Sequence, residues 1–114
     1  MPRREEADPR ALAIGQRIRQ LREDAGLNKE QLAFEADFSK GHLSSLERGL
    51  VMPTVGSLER LADVLGVLVI DLINDPSKGD RERLIDLSRF ISSGALRKLV
   101  REMAGAAPKR RPPR

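Results

Sequence analysis

Residues 27–49 read LNKEQLAFEADFSKGHLSSLERG and contain two short helical patterns separated by a tight turn. Asn28 is a favourable N-cap for the first helix, and Gln31 stands three residues later, where the partner of a capping box belongs. Ser39 is the matching N-cap of the second helix, and Gly49 suits the left-handed cap that ends it. Two helices of about eight to ten residues with a short break between them are typical of a helix-turn-helix.

The same stretch resembles the helix-turn-helix of the phage-repressor and Cro family, also called the XRE family of bacterial regulators. The matching residues are Leu27-Asn28, Gln31-Leu32-Ala33, Ser39, Leu43-Ser44 and Leu46-Glu47-Arg48-Gly49. The resemblance extends over residues 12–74. Lys29 stands where the family often has Gln, so a contact that needs an amide does not transfer to it. Asp37 stands where the turn usually has Gly, and Asp tolerates left-handed backbone better than most residues.

Apolar residues at helical spacing extend the pattern on both sides of this pair. A first helix is predicted from Ala11 to a stop at Gly26, on the stripe formed by Ile14, Ile18, Leu21 and Ala25. A fourth helix is predicted after Pro53, with Thr54 as its cap, and residues 67–73 resemble the short fifth helix of the family. The expected fold is all-α: a five-helix repressor-like DNA-binding domain over residues 11–75, with a C-terminal helical dimerisation extension.

The turn-rich residues 75–79 predict the end of that domain. Beyond it, residues 80–104 carry two apolar stripes and predict a helical hairpin, whose stripe residues are Leu84, Leu87, Ile91, Leu96, Leu99, Val100 and Met103. Because the five-helix core closes without them, we interpret them as the surface of a two-fold homodimer. Packing of the hairpin back onto its own domain is the alternative. Residues 1–10 and 105–114 are expected to be disordered arms, the second of them basic.

Charge is unevenly distributed along the 114 residues, whose formal net charge is +4. Residues 1–79 hold 11 Lys or Arg against 13 Asp or Glu, a net of −2, whereas residues 80–114 hold 10 against 4, a net of +6. The helix-turn-helix region is therefore not a generally basic surface. If it binds DNA, a few placed cations and backbone groups must do so, with dimerisation doubling them.

Several other classes of function are disfavoured by composition and motifs. The absence of cysteine excludes thiolate metal sites and fits a reducing compartment. The sequence has no apolar run of membrane-spanning length and no signal-peptide pattern, so a cytoplasmic location without membrane contact is expected. It also has no nucleophile beside a base, no metal-ligand cluster and no Gly-rich phosphate loop, so neither an enzyme nor a bound cofactor is expected.

The resemblance implies that residues 40–48 form a recognition helix in the major groove of double-stranded DNA. The candidates for base contacts are Lys40, Gly41, Ser44 and Ser45. The candidates for phosphate contacts are Asn28, Lys29, Ser39, His42, Arg48 and Thr54. Lys40 can donate to guanine O6 and N7. The resemblance also implies a partly buried ion pair between Arg22 and Glu47, and a phosphate contact by Arg22 is the alternative.

Two functions from different classes remain. The first is a sequence-specific transcriptional regulator, a repressor by default, that binds a palindromic operator as a homodimer. The second is a protein-interaction module, such as an antitoxin or adaptor, whose C-terminal hairpin binds a different protein. They differ in whether residues 80–104 associate with a second copy or stay unpaired until a partner arrives.

Overall fold

The computed structural model describes residues 6–107 of the chain, and all regular secondary structure within them is helical. The elements are α1 (Pro9–Asp24), α2 (Lys29–Glu35), α3 (Lys40–Glu47), α4 (Val55–Leu65), α5 (Val69–Ile73), α6 (Asp80–Leu87), the 3-10 turn η1 (Ser88–Phe90) and α7 (Ser93–Ala106). The all-α prediction is confirmed. No helix in this described part is long and apolar enough to cross a membrane.

The predicted caps of α2, α3 and α4 are present as hydrogen bonds. Asn28 Oδ1 accepts from the Gln31 N–H at 2.8 Å, and Gln31 Oε1 accepts from the Asn28 N–H at 2.8 Å, which completes the capping box. Ser39 Oγ accepts from the His42 N–H at 3.0 Å. Thr54 Oγ1 accepts from the Ser57 N–H at 3.1 Å. Each such cap stabilises its helix by about 1 kcal/mol.

The outer ends of the chain differ from the sequence prediction. Helix α1 begins at Pro9 rather than Ala11, because Asp8 caps it by accepting from the backbone N–H of Arg10 at 2.9 Å and of Ala11 at 3.2 Å. A proline in the first helical turn suits this start, since it has no N–H to satisfy. At the other end α7 continues to Ala106, past the expected limit of 104. The remaining parts of the two predicted arms, residues 1–5 and 108–114, lie outside the described residues.

The core of the first five helices is formed by side chains from every one of them. The fully buried large residues are Ile18 of α1, Leu32 of α2, Leu43 and Leu46 of α3, Leu61 of α4 and Leu72 of α5. Burying each contributes roughly 1.5 to 3 kcal/mol relative to exposure. All six precede residue 75, so this core is complete before the C-terminal segment begins.

Two glycines let α1 and the end of α3 approach backbone to backbone. A Cβ atom added to Gly15 would lie 2.2 Å from the carbonyl oxygen of Leu46. Gly49 has φ of +75°, as its predicted role of left-handed cap requires, and a Cβ there would also lie 2.6 Å from Leu12 Cα. Any larger residue at either position would push the two helices apart. The orientation of α3 is therefore set by α1.

The C-terminal segment joins the core through polar contacts. Arg17, although buried, donates through Nε to the carbonyl oxygen of Asp71 at 2.8 Å and through Nη2 to Asp86 of α6. Asn74 Nδ2 donates to the carbonyl oxygen of Glu82 at 2.8 Å. These contacts hold α6 against α1 and the end of α5.

The two helices of the hairpin predicted over residues 80–104 are present as α6 and α7, but they do not pack along each other. Ile91 is extended after η1, and Ser92 then caps a new helix by accepting from the Ala95 N–H at 3.2 Å. The chain therefore leaves α6 instead of folding back onto it. Within residues 6–107, no hydrogen bond or ion pair connects α7 to another helix. The stripe residues stay open: Leu84, Leu87, Leu99, Val100 and Met103 are exposed, and Ile91 and Leu96 are half-buried.

Candidate nucleic-acid interface

The N-termini of α2 and α3 lie side by side at one surface of the molecule. Asn28, Lys29, Glu30 and Lys40 line an open depression of about 280 Å³ between them. The first N–H groups of a helix have no partner within the helix and carry a partial positive charge. This surface therefore combines two lysines with the positive end of α3, the helix expected to contact DNA.

The turn between α2 and α3 has the backbone expected from the sequence. Asp37 adopts φ of +60°, the only positive φ of a non-glycine residue within the described part. The next residue, Phe38, donates its N–H to the carbonyl oxygen of Ala33 at 2.7 Å. Ala33 and Ala36 are buried beneath this turn. Small side chains at these two positions allow α3 to cross α2 closely.

Arg22 and Glu47 form the ion pair implied by the resemblance. Arg22 Nε donates to Glu47 Oε2 at 2.8 Å, and Nη2 donates to Oε1 at 3.1 Å. The side chains are 9% and 2% exposed. The hydrogen bond that Arg22 donates to Glu47 raises the pKa of Arg22 above its ordinary value. Arg22 also donates to the carbonyl oxygen of Leu27 at 2.9 Å, so its guanidinium is bound within the fold on two sides.

Three of the four residues predicted to contact bases share one accessible face of α3. Lys40 and Gly41 are exposed, and Ser44 is half-buried. The prediction for Ser45 is wrong, since this residue is only 7% exposed and its short side chain does not reach outward.

The six residues predicted to contact phosphates all have surface on this part of the molecule. Five are exposed and Lys29 is half-buried; the exposed ones are Asn28, Ser39, His42, Arg48 and Thr54. In Asn28, Ser39 and Thr54 a side-chain oxygen already accepts a hydrogen bond as a helix cap. Their contribution to phosphate binding would therefore come from the groups that capping leaves available. Phosphate contact by this set stays a prediction.

Both lysines of the depression have partners in the neighbouring helix, which the sequence analysis missed. Lys29 Nζ of α2 donates to Ser44 Oγ of α3 at 3.3 Å. Lys40 Nζ of α3 donates to Glu30 Oε1 of α2 at 2.7 Å, and this hydrogen bond holds the pKa of Glu30 below its usual range. Contacts between flexible side chains of different helices leave no periodic signal in a sequence, so no pattern could have indicated them.

A further cation near α3 was also missed. The guanidinium of Arg60 in α4 lies 4.4 Å from the ring centroid of Phe38, and the His42 ring stacks on the same phenyl ring with centroids 5.2 Å apart. An exposed arginine over an aromatic ring gains a modest cation–π attraction. Phe38 thus places Arg60 beside the first turn of α3, next to the only histidine of the chain.

Comparisons with known proteins agree with this arrangement. A family model described as a helix-turn-helix domain matches residues 13–72, more than half of the chain. The HTH-type transcriptional regulator SinR of Bacillus licheniformis is 34% identical over 96 aligned residues, covering 78% of this chain and 86% of SinR.

Solved structures give the same similarity. A chain of the SinR/SinI protein complex has a TM-score of 0.61 and 31% identity, covering 82% of this chain and 96% of the matched one. SinR in complex with DNA has a TM-score of 0.50 and 43% identity, covering 52% of this chain and 95% of the matched one. The first structure therefore matches a longer part of the chain than the second one does.

Proposed function

The chain belongs to the helix-turn-helix family of the phage-repressor and Cro type, and we propose that it is a sequence-specific regulator of transcription that binds double-stranded DNA. The observation that carries this proposal is the accessible face of Lys40, Gly41 and Ser44 on a helix fixed from behind by the buried Arg22–Glu47 pair. The major groove of DNA is wide enough to admit a rigid helix whose N-terminal face is accessible. The relatives named above are regulators rather than enzymes.

The recognition helix would read few bases directly. Lys40 donates to guanine O6 and N7, Ser44 either donates or accepts, and Gly41 allows close approach without discriminating. Since Ser45 is buried, the side chains that can reach base edges are fewer than the sequence predicts. Backbone contacts and the shape of the DNA would therefore supply much of the affinity and part of the specificity.

The regulator would act as a homodimer on a palindromic operator, with half-sites about one helical turn apart. What supports this step is the apolar face of the C-terminal segment, most of which is exposed in the described chain. Two copies meeting through this face would bury it and would double the few cations of each recognition surface. Repression by blocking polymerase is the simplest action of such a complex.

The test compares the full chain with a chain ending at Gly79. The molecular mass of each chain is measured in solution. Each chain is then mixed with random genomic DNA fragments, and the DNA that it retains is sequenced. We expect the full chain to be a dimer that enriches one palindromic sequence, and the shorter chain to be a folded monomer that binds it much more weakly. A full chain that enriches no sequence would contradict the proposed function. An undiminished dimer of the shorter chain would contradict dimerisation through residues 80–107.

The second candidate is a module whose C-terminal segment binds a different protein. One observation favours it: the matched SinR chain covering 82% of this one was solved in complex with another protein, SinI. In that case the purified full chain would be a monomer, because its apolar face would stay uncovered until the other protein binds. The same mass measurement therefore separates the two candidates.

A further inference from the structure

The cations of the first five helices fall into two groups. Four of the seven Lys and Arg residues between positions 11 and 75 have a carboxylate partner; these are Arg17, Arg19, Arg22 and Lys40. The other three have no ion pair with any residue of the described chain; these are Lys29, Arg48 and Arg60. The sequence analysis predicts phosphate contacts for the first two of these three. Arg60 is therefore the unpaired cation that has no role yet.

Arg60 is held in place without losing its charge. Its Cζ atom lies 4.4 Å from the ring centroid of Phe38. Attraction to an aromatic ring does not neutralise a cation, and it leaves the N–H groups of the guanidinium free to donate to another acceptor. Asp63, an exposed carboxylate three residues later in α4, does not pair with Arg60 in the described chain. A phosphate can therefore bind Arg60 without displacing a partner.

The position of Arg60 is set by the start of α3. Phe38 directly precedes Ser39, the N-cap of α3, and the His42 ring stacks on the phenyl ring with centroids 5.2 Å apart. Ser39 and His42 are exposed, and both are candidates for phosphate contact. Because one strand of DNA carries a phosphate for about every 3.4 Å along the helix axis, Arg60 and His42 are close enough to contact phosphates of the same strand.

We propose that Arg60 is a further DNA-contacting residue, which binds a phosphate at the edge of the major groove, and that Phe38 is the residue that positions it. This inference rests on the proposed function. The planar guanidinium donates two parallel N–H groups to the phosphate oxygens. Since Phe38 already restricts the side chain, less conformational entropy is lost on binding. Phosphates are common to all sequences, so this contact adds affinity without distinguishing one sequence from another.

The test substitutes Arg60→Gln, which removes the charge and keeps a polar side chain. Arg81→Gln is the matched control, because Arg81 is an exposed arginine of α6 with no ion pair in the described chain, and α6 is held by α1 and the end of α5. Affinities are measured on the enriched operator and on a duplex of shuffled sequence, at several salt concentrations. Thermal melting checks that each variant is folded.

We expect Arg60→Gln to lower the affinity for both duplexes by the same factor, about three- to thirtyfold. Each copy in a dimer loses one contact, and each contact is comparable in strength with an exposed ion pair. The log–log dependence of affinity on salt should become shallower by about 0.9 for each copy of the protein on the DNA, since one phosphate contact per copy is lost. Arg81→Gln should change the affinity by less than about twofold and leave the slope unchanged.

Two further variants test the role of Phe38. Arg60→Lys keeps the charge but lacks the planar fork, so it should keep the salt slope of the wild type and lose part of the affinity. Phe38→Leu keeps an apolar side chain against the core and removes the ring. It should weaken DNA binding, and by less in an Arg60→Gln background, where no guanidinium remains to be positioned. This comparison separates the effect on Arg60 from the effect on His42, which contacts the same ring.

Several results would overturn this inference while leaving the proposed function intact. Equal losses in Arg60→Gln and Arg81→Gln would mean that only net charge matters. A loss confined to the operator would mean that Arg60 contacts a base edge instead of a phosphate. A loss from Phe38→Leu that is equally large in both backgrounds would exclude the positioning role.

The proposed function fails in a different way. A wild-type protein that binds both duplexes equally would overturn sequence specificity, whereas the effect of Arg60→Gln on affinity and salt slope would remain. A wild-type protein that binds neither duplex would overturn both the proposed function and this inference.

Discussion

Arg22 neutralises a carboxylate that has almost no access to water, since the Glu47 side chain is 2% exposed. Replacing Arg22 with Met should lower the free energy of unfolding by about 3 to 5 kcal/mol, because it leaves that buried charge without a partner. Urea unfolding followed by circular dichroism measures the change. The control is Arg19→Ala, which removes the exposed Arg19–Glu23 pair and should cost less than about 1 kcal/mol. Equal losses in the two variants would mean that the buried pair is no more important than a surface one.

Asp86 makes the attachment of α6 sensitive to acid. The hydrogen bond from Arg17, and to a lesser extent that from Arg89, holds the pKa of Asp86 below its ordinary value of 3.8, although partial burial acts in the opposite direction. A lowered pKa in the folded state means that the stabilisation is fully present above pH 3.8 and is lost as the pH falls through the folded value. Asp86→Asn should therefore be less stable than the wild type by about 1 to 3 kcal/mol at pH 7.

The pH dependence of that difference is the informative measurement. The gap in unfolding free energy between wild type and Asp86→Asn should shrink as the pH falls below about 4. Asp63→Asn, at an exposed position of α4 with no ion pair in the described residues, should differ from the wild type by less than about 0.5 kcal/mol at any pH. A gap of the same size at pH 7 and pH 3 would show that the charge of Asp86 is not what holds α6.

At the scale of elements, the contact between α1 and α3 depends on Gly15. Alanine usually favours a helix interior over glycine by about 1 kcal/mol. Here, however, a Cβ would lie 2.2 Å from a backbone oxygen of α3. Gly15→Ala should therefore lose about 1 to 3 kcal/mol of stability and should weaken DNA binding as α3 is displaced. Gly56→Ala in α4, where the added Cβ meets nothing, should be neutral or gain up to about 1 kcal/mol. If Gly15→Ala gained stability as well, the close crossing would be refuted.

The ends of α2, α3 and α4 could be predicted because their signals are local. Asn28, Ser39 and Thr54 each accept a hydrogen bond from an N–H within their own first turn, so neighbouring residues determine the outcome. The burial of Ser45 could not be predicted, since it depends on how α3 packs in the folded chain and not on the residues beside it in the sequence. The open form of the C-terminal segment was missed for a similar reason: apolar stripes give the faces of two helices but not whether those faces meet.

For the whole molecule, the exposed apolar face of α7 is the surface through which we propose that two copies associate. Leu99 and Val100 are 37% and 57% exposed in a single chain. Replacing both with Gln should convert a dimer into a monomer, because the apolar area whose burial would drive association is lost. Sedimentation equilibrium measures the mass. The matched control replaces Arg97 and Arg101 of the same helix with Gln and should leave the dimer intact. A dimer that survives the first pair of changes would exclude this face.

The close contact of α3 with α1 affects how the sequence of this protein can diverge. The contact of α3 with α1 is formed by the close approaches at Gly15 and Gly49 and by the Arg22–Glu47 pair, and Lys40, Gly41 and Ser44 are not part of these contacts. Substitutions at those three positions therefore leave the contact between α3 and α1 unchanged. If the proposed function is correct, new preferences for DNA sequence can arise there one residue at a time, without a compensating change in the rest of the fold. A library designed to retarget the protein could then be confined to these positions.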